Sequence, residues 1–362
     1  MRQTISPSFP ATLEAKQRAV QPGIDMMVYD LHALVAGQPP PVQEAMYVGT
    51  RVMQRPAKRI RGVLTETGYR TLGGTDTAMI SQAAGAVEAW HTNLLITDDH
   101  HDSTDMRRGD VTAHVAMASY LHEHGIGRNP KKLGADCALN AGFIMHMHAN
   151  RVLGGLAVPS DNKILASNIA SDYLVQTGIG QARDLLADPA KPPTPTEILE
   201  TYRLKTGLYT FKPLAVGAAL AGAPAQEIEL LTPYAESAGK AFQLQDDVLG
   251  VVGDPAVTGK PQKSDIAEGK HTWIVATALE RISGRDRGLL LRSLGNAALS
   301  DEDFSTCRMI LDKTSAIDEA RELAREFAGA AINSLDRLPT HWQTEQIVFM
   351  RDLAVYGATR EA

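Results

Sequence analysis

Asp98-Asp99-His100-His101-Asp102 closes a long run, Thr77 to Thr97, and a second acidic pair follows far downstream in Phe242-Gln243-Leu244-Gln245-Asp246-Asp247-Val248-Leu249-Gly250. The run carries Ala83, Val87, Trp90, Leu94 and Leu95 at helical spacing, the apolar stripe of an amphipathic helix. Residues four apart on a helix share a face, so Asp98 and Asp102 point together. Gathered carboxylates repel one another unless a cation or basic ligand lies between them. All-oxygen ligands suit magnesium, which usually takes one or two carboxylates plus substrate phosphates. The pattern implies a diphosphate held between two acidic clusters.

Working outward, the rest of the chain reads the same way. Ala-, Leu- and Met-rich stretches with three- and four-residue spacing recur, and period-two strand patterns are nearly absent. Gly and Pro fall mainly between them, at Gly37 to Pro41, Gly73-Gly74, Gly125 to Pro130 and Gly253-Asp254-Pro255. Pro233 to Val252 is a second long helical run and carries the second Asp pair. The expected fold is all-α, a single large helical bundle around a central cavity, with the acidic motifs facing each other from separate helices. A chain of 362 residues makes two domains the default, but no linker divides it. The Pro-rich stretch Asp188 to Pro195 reads as a loop between helices, so 1–362 is taken as one domain. Ala276 to Ala362 reads as ordinary amphipathic helix that says little about function.

A net charge of −6 argues against a broad nucleic-acid surface, and no nucleic-acid partner is expected. The longest apolar stretch, Pro213 to Ala225, is too short to span a bilayer. The N-terminus lacks a signal-peptide core, and Glu14 with the helical pattern after it counts against a transit peptide. Two cysteines, Cys137 and Cys307, make no disulfide framework and fit a reducing cytoplasm.

A lone Asp pair on a helix is usually solvated, capping or salt-bridged. Here basic groups accompany both pairs. Arg107-Arg108-Gly109 follows the first, and arginine suits bidentate phosphate contacts. Lys58 and Arg61 are three apart, roughly one helix face; Lys205-Thr206-Gly207, Thr258-Gly259-Lys260 and Gly269-Lys270 add further cations. Singly, each is an ordinary surface charge; with two acidic motifs they suggest a cavity for two phosphorylated substrates and their metal ions. His100 and His101 invite a transition-metal reading, but adjacent helical residues diverge and the neighbouring ligands are hard oxygens. They are placed on the outer face or around the ligands, and His146 and His148 are taken as structural.

In order along the chain, these motifs resemble the trans-isoprenyl diphosphate synthases, the polyprenyl synthetases that make geranyl, farnesyl and geranylgeranyl diphosphate. Glu88-Ala89-Trp90-His91 with Asp98-Asp99-x-x-Asp102 and Arg107-Arg108-Gly109 is similar to the family's first aspartate-rich region. Gly180-Gln181-Ala182-Arg183-Asp184-Leu185 and Lys205-Thr206-Gly207 resemble its central motifs. Phe242-Gln243-x-x-Asp246-Asp247, Gly253-Asp254-Pro255, Thr258-Gly259-Lys260 and Glu268-Gly269-Lys270 resemble its second region.

The resemblance implies condensation of isopentenyl diphosphate with an allylic diphosphate, magnesium as cofactor with three ions per site, and a homodimer. It implies Asp98, Asp102 and Asp246 as magnesium ligands, with Asp99 and Asp247 assisting. Arg107, Lys205 and Lys260 would contact the allylic diphosphate, with Lys270 another substrate-binding cation. Lys58, Arg61, His91 and Arg108 would hold isopentenyl diphosphate. Thr206 and Gln243 would line the reacting centre.

The match departs from the family pattern at Ala57, Thr97, Phe143 and Gly250. Gly250 stands where many members carry a third aspartate, one turn from Asp246; Asp265 or Glu268 can assist through water. In the family, side chains before the first Asp pair floor the product tunnel. Asn93 and Leu94 are not aromatic, so Trp90, one turn deeper than Leu94, is expected to limit the product to about twenty carbons, with farnesyl next. The alternative of packing away from the tunnel stays open for Trp90. A class I terpene cyclase would need no isopentenyl site and normally carries a different second motif. A non-catalytic partner subunit typically loses one aspartate motif, and this chain keeps the core of both.

Overall fold

The computed structural model describes residues 4–107, 109–188, 191–253, 262–296 and 298–361. Arg108, Lys260 and the Asp254 to Gly259 stretch lie outside them. The described chain is helical nearly throughout. Its first half holds α1 (Phe9–Val35), α2 (Pro40–Gln54), α3 (Ile60–Thr71), α4 (Thr77–His101), α5 (Ala113–Glu123), α6 (Pro130–Gly155) and α7 (Ser160–Leu185). Then come α8 (Pro195–Tyr202), a π-helical turn (Arg203–Leu208), α9 (Tyr209–Phe211), α10 (Pro213–Leu220), α11 (Ala225–Glu229) and α12 (Thr232–Val252). The last part holds α13 (Ser264–Ala267), α14 (Trp273–Arg281), α15 (Gly284–Ser293), α16 (Asp301–Lys313), α17 (Ala316–Ser334) and α18 (Thr344–Thr359). The one sheet among the described residues is a small antiparallel hairpin, Met106–Arg107 with Asp110–Val111, turning through Gly109 at φ 75°. That left-handed turn is one glycine adopts without strain.

Local sequence explains where the two acidic helices begin. The Asp76 carboxylate accepts the Met79 N–H at 2.9 Å, capping α4. Pro233 occupies the first turn of α12, where its missing N–H costs nothing. After the Pro-rich loop, Thr194 and Glu197 form a reciprocal capping box that starts α8.

Helix α4 packs against α1, α3 and α6, and α12 packs against α17, α18 and the π turn. A large apolar core runs through α1–α7, α10 and α18, and a second joins α8 to α14–α17. Helix α12 gives Ala235 and Ala238 to the first core and Leu244 and Val248 to the second. Burying each large aliphatic side chain contributes about 1.5–3 kcal/mol, so both ends of α12 are firmly seated. The all-α bundle expected from the periodicity is what the chain adopts, and its cavity opens between α4 and α12.

Candidate active site

A cavity of about 870 Å³ lies between α4, α7, the π turn and α12, with the start of α3 and the chain's C-terminal end on its border. Its first acidic wall is the end of α4. Asp98 lines the cavity, and Lys205 Nζ stands 3.3 Å from its Oδ1 and 2.6 Å from Asp184 Oδ2. Asp102, one turn on, faces Lys270 Nζ at 3.5 Å, and that ammonium lies 2.7 Å from Glu268 Oε2. Asp99 is 1% exposed and accepts from Arg107 Nε, while Arg107 Nη2 donates to Asp98 Oδ2 at 3.2 Å. The Gly109 hairpin is what returns Arg107 to the end of α4.

Burial would raise the Asp98 carboxyl, but Lys205, Arg107 and Lys270 together hold it below its usual range. Burial and repulsion from Asp98 push Asp102 the other way. Burial works against the charged forms of Lys205 and Lys270, yet the surrounding carboxylates raise both above an ordinary lysine.

The second wall is α12, which presents Gln243 and Asp246 to the cavity. Asp247, 4% exposed, accepts from the Tyr202 hydroxyl and from Gln243 Nε2 at 2.9 Å. Tyr202 in turn accepts the Trp273 N–H at 2.8 Å, so α8, α12 and α14 meet on one buried carboxyl. Burial raises Asp247 well above a normal carboxylate, and the two hydrogen bonds only partly oppose it. A Cβ on Gly250 would fall 2.0 Å from Asp265 Oδ2, so the Asp265 carboxylate fills the space beside that glycine.

Lys205 and Thr206 are delivered by the π turn, a helical form found mostly as single turns and often at functional sites. The turn is pressed against its neighbours backbone to backbone. A Cβ on Gly239 of α12 would lie 2.2 Å from Gly207 Cα, and one on Gly180 of α7 2.3 Å from the Lys205 nitrogen. Glycine at these two positions lets α7 and α12 close on the turn. Thr206 lines the cavity.

A third cluster faces these walls. Arg61 Nη1 lies 3.3 Å from His91 Nε2, its Nη2 donates to Thr210 Oγ1 at 2.8 Å, and its guanidinium sits 4.0 Å over the Tyr209 ring. Lys58 Nζ stands 5.5 Å from the Tyr356 ring centroid. Glu88 fixes this segment: its buried carboxylate accepts the Gly62 N–H at 2.9 Å and pairs with Arg59 at 3.6 Å. Arg59 has φ 52°, a left-handed backbone that turns the chain from Lys58 into α3.

Several expectations need correction. The last stretch of the chain is not silent: Arg360 lines the cavity, pairs with Asp246 Oδ1 at 2.8 Å and stacks 4.1 Å from the Phe242 ring. Of the two placements expected for the histidines, His101 takes the one around the ligands, bordering the cavity 3.3 Å from Gln181 Nε2, whereas His100 rests near the His114 ring. Leu94 lines the cavity, but Asn93 is turned toward α6, where its Oδ1 crowds Gly142. Trp90, 2% exposed, borders a second cavity of about 400 Å³ between α4, α6 and α7, and its Nε1–H donates to Asn150 Oδ1 at 3.0 Å. Arg360 and Tyr202 carried no local signal, whereas Asp184 stood inside a recognisable motif.

Chemically, hard oxygen donors and fixed cations share one cavity. Asp98 Oδ1 and Asp102 Oδ2 are buried without a hydrogen bond among the described residues, each near an ammonium. Such oxygens suit a hard divalent cation. No group of three or more His, Cys, Asp or Glu side chains forms a ready metal cage among the described residues. Magnesium needs none, because substrate phosphates complete its shell. No helix of the described residues is long and apolar enough to cross a membrane.

The chain is similar to known proteins in sequence and in fold. A family model described as polyprenyl synthetase matches residues 43–311. The geranylfarnesyl diphosphate synthase of Aeropyrum pernix is 31% identical over 286 residues, 78% of this chain and 84% of that protein. The short chain isoprenyl diphosphate synthase of Methanocaldococcus jannaschii is 36% identical over 256 residues, 70% of this chain and 72% of that one. A crystal structure of geranylgeranyl pyrophosphate synthase from Corynebacterium glutamicum, complexed with isoprenyl diphosphate and magnesium, superposes with TM-score 0.87 at 26% identity, covering 98% of this chain and 99% of that one. With its all-α bundle and paired acidic helices, this chain belongs to the polyprenyl synthetase family and is a prenyltransferase.

Proposed function

We propose that the chain joins isopentenyl diphosphate head to tail onto an allylic diphosphate, giving a linear trans-polyprenyl diphosphate, with 1–362 acting as one catalytic domain. The observation that carries this reading is the convergence of two carboxylate walls and separate cation clusters on a single cavity.

In this reading Asp98, Asp102 and Asp246 hold magnesium, three ions per site. Bound magnesium supplies Lewis-acid neutralisation of the charge that grows on the departing diphosphate. Asp99 and Asp247 assist from behind: Asp99 by aiming Arg107, Asp247 by holding Gln243 and Tyr202. Arg107, Lys205, Lys260 and Lys270 bind the allylic diphosphate and share its developing charge. Lys58, Arg61, His91 and Arg108 hold isopentenyl diphosphate. The allylic C–O bond breaks with both electrons leaving on diphosphate. The isopentenyl double bond then attacks the allylic cation, and a proton passes to the released diphosphate. Because Gln243 spends its Nε2–H on Asp247, its Oε1 is the acceptor left to face positive charge, alongside the Thr206 hydroxyl. Water must be kept from the cation, which it would quench, and Leu94, Leu95 and Phe242 are apolar side chains of the lining placed for that.

We place the product at geranylgeranyl length, about twenty carbons, with farnesyl next. Supporting this, Leu94 borders the main cavity, and Trp90, one turn back along α4, is a large side chain buried behind it. Exposed Phe143, Val175 and Ile179 on α6 and α7 support a homodimer through those helices. The free cysteines Cys137 and Cys307 fit a cytoplasmic enzyme.

The test is incubation with isopentenyl diphosphate, magnesium and each allylic primer in turn, with dephosphorylated products sized by chromatography. A linear prenyl alcohol is expected. No isopentenyl consumption with any primer would overturn the reading. Trp90→Ala should lengthen the product, and an unchanged length would sink the assignment of Trp90 as the floor.

A further inference from the structure

We infer that Arg55 is a positioning residue that couples the two diphosphate subsites. Its guanidinium clasps the Gly109 hairpin to the segment carrying Lys58 and Arg61, so filling the allylic subsite tightens the isopentenyl one. The inference rests on the proposed assignment of Arg107 to the allylic diphosphate and of Lys58 and Arg61 to isopentenyl diphosphate.

The hairpin has little of its own to hold it. Its ladder is Met106 with Val111 and Arg107 with Asp110, and a two-stranded ribbon is marginal alone. Its apolar side chains do not anchor it either, since Met106 is 51% exposed and Val111 36%. Polar ties set its place instead. On one side Arg107 reaches Asp98 and Asp99 at the end of α4, and at the neck the Thr112 N–H donates to the Asp105 carbonyl at 2.9 Å. On the other side stands Arg55, the residue that ends α2. Its Nη2 donates to Asp110 Oδ2 at 3.0 Å and to the Val111 carbonyl, and its Nη1 donates to the Arg107 carbonyl at 3.4 Å. These acceptors all lie in the hairpin and span both of its strands.

Burial ranks these contacts. The Arg55 side chain is 11% exposed, whereas that of Asp110 is 58% exposed. An ion pair open to water on one side contributes little, so the two carbonyls, met by the planar fork that arginine presents, carry the clasp. The same residue is bound into the isopentenyl segment. Its carbonyl accepts from Arg59 Nη2 at 2.9 Å, Arg59 pairs with buried Glu88, and Lys58 and Arg61 follow closely along the chain. A movement of Arg107 toward a bound diphosphate therefore bears on Lys58 through one side chain and a short length of backbone. Coupling of this kind is reciprocal, so isopentenyl diphosphate tightens the allylic subsite by the same factor.

The experiment measures Kd for isopentenyl diphosphate by calorimetry, with magnesium, in the absence and presence of a non-reacting thiolo analogue of the allylic diphosphate. In the natural enzyme the analogue should tighten isopentenyl binding about fivefold or more. In Arg55→Ala and Arg55→Lys, with folding checked by circular dichroism, that factor should fall to about one, because lysine has no fork to span two carbonyls. Asp110→Asn keeps both carbonyl contacts and should retain the factor. Hydrogen exchange adds a reading that needs no variant: the analogue with magnesium should slow the amides of residues 57–62 in the natural enzyme. A factor that survives in folded Arg55→Ala, or exchange that the analogue does not slow, overturns the role of Arg55. If Asp110→Asn loses the factor as fully as Arg55→Ala, the clasp on the carbonyls is overturned in favour of the ion pair. Binding of both diphosphates with no coupling in the natural enzyme sinks this inference alone, whereas binding of neither sinks the proposed reaction and this inference with it.

Discussion

On α4, Asp98 lines the cavity while its neighbour Asp99 is buried away from it and accepts from Arg107; on α12, Asp246 and Asp247 both border the cavity, and Asp247 is buried and accepts from Tyr202 and Gln243. Successive helical residues point about 100° apart, so in each pair the second carboxylate is turned toward protein partners, which hold it as a strut. The walls differ in how they are completed. Helix α4 supplies its own third carboxylate, Asp102, one turn on. Helix α12 has Gly250 there, and the neighbouring carboxylate, Asp265, arrives from α13. The first wall is local in sequence, needing only α4 and the hairpin behind it. The second is assembled from α8, α12, α13 and α14, so it depends more on tertiary packing.

The largest expected effect tests the symmetry of the outer carboxylates. Asp98→Ala and Asp246→Ala should each lower kcat by about 10³, the cost of losing a group that stabilises transition-state charge. Steady-state kinetics in which only one variant suffers would break the parallel. Next come the struts. Asp247→Ala leaves the Tyr202 hydroxyl and the Gln243 amide without their partner and should cost about 1–3 kcal/mol of stability by chemical denaturation. Asp99→Ala removes one of the two partners of Arg107, which keeps Asp98, and should cost less; equal losses would show that the second wall is no more tertiary than the first. A smaller effect is expected at Gly250. A methyl group there must push the Asp265 carboxylate aside, so Gly250→Ala should lower kcat about tenfold with little change in thermal midpoint, and Asp265→Asn should match it. A Gly250→Ala enzyme of full activity would remove Asp265 from the second wall. Gly250→Asp, which makes the two motifs alike in sequence, should be worse than the natural glycine.

The difference between the walls also explains what the sequence could and did not reveal. Asp98, Asp102, Arg107 and the helix beneath them form one continuous signal, because helical periodicity alone puts their side chains together. Lys205 and Thr206 were legible as a motif, yet nothing in Arg203–Leu208 announced a π turn, whose form is imposed by close packing at Gly180 and Gly239. Tyr202 and Asp247 are separated by 45 positions, and Arg360 and Asp246 by 114, so neither pairing has a local periodicity to read. The depth of Trp90 relative to Leu94 followed from helix geometry, whereas its bond to Asn150 required knowing how α6 crosses α4.

The π turn makes this chain sensitive to length as much as to composition. Its hydrogen bonds close one residue wider than those of an α-helix, so deleting any one of its six residues lets the segment relax into ordinary helix. Because the wider turn is what absorbs one extra residue, the helix before and after it would stay nearly in phase, and the side chains inside the turn would be the ones re-aimed. Lys205 would swing away from Asp98, or Gly207 away from Gly239. A one-residue gap here is therefore a deeper injury than most substitutions, and the register of the helix through this turn is something the chain inherits whole.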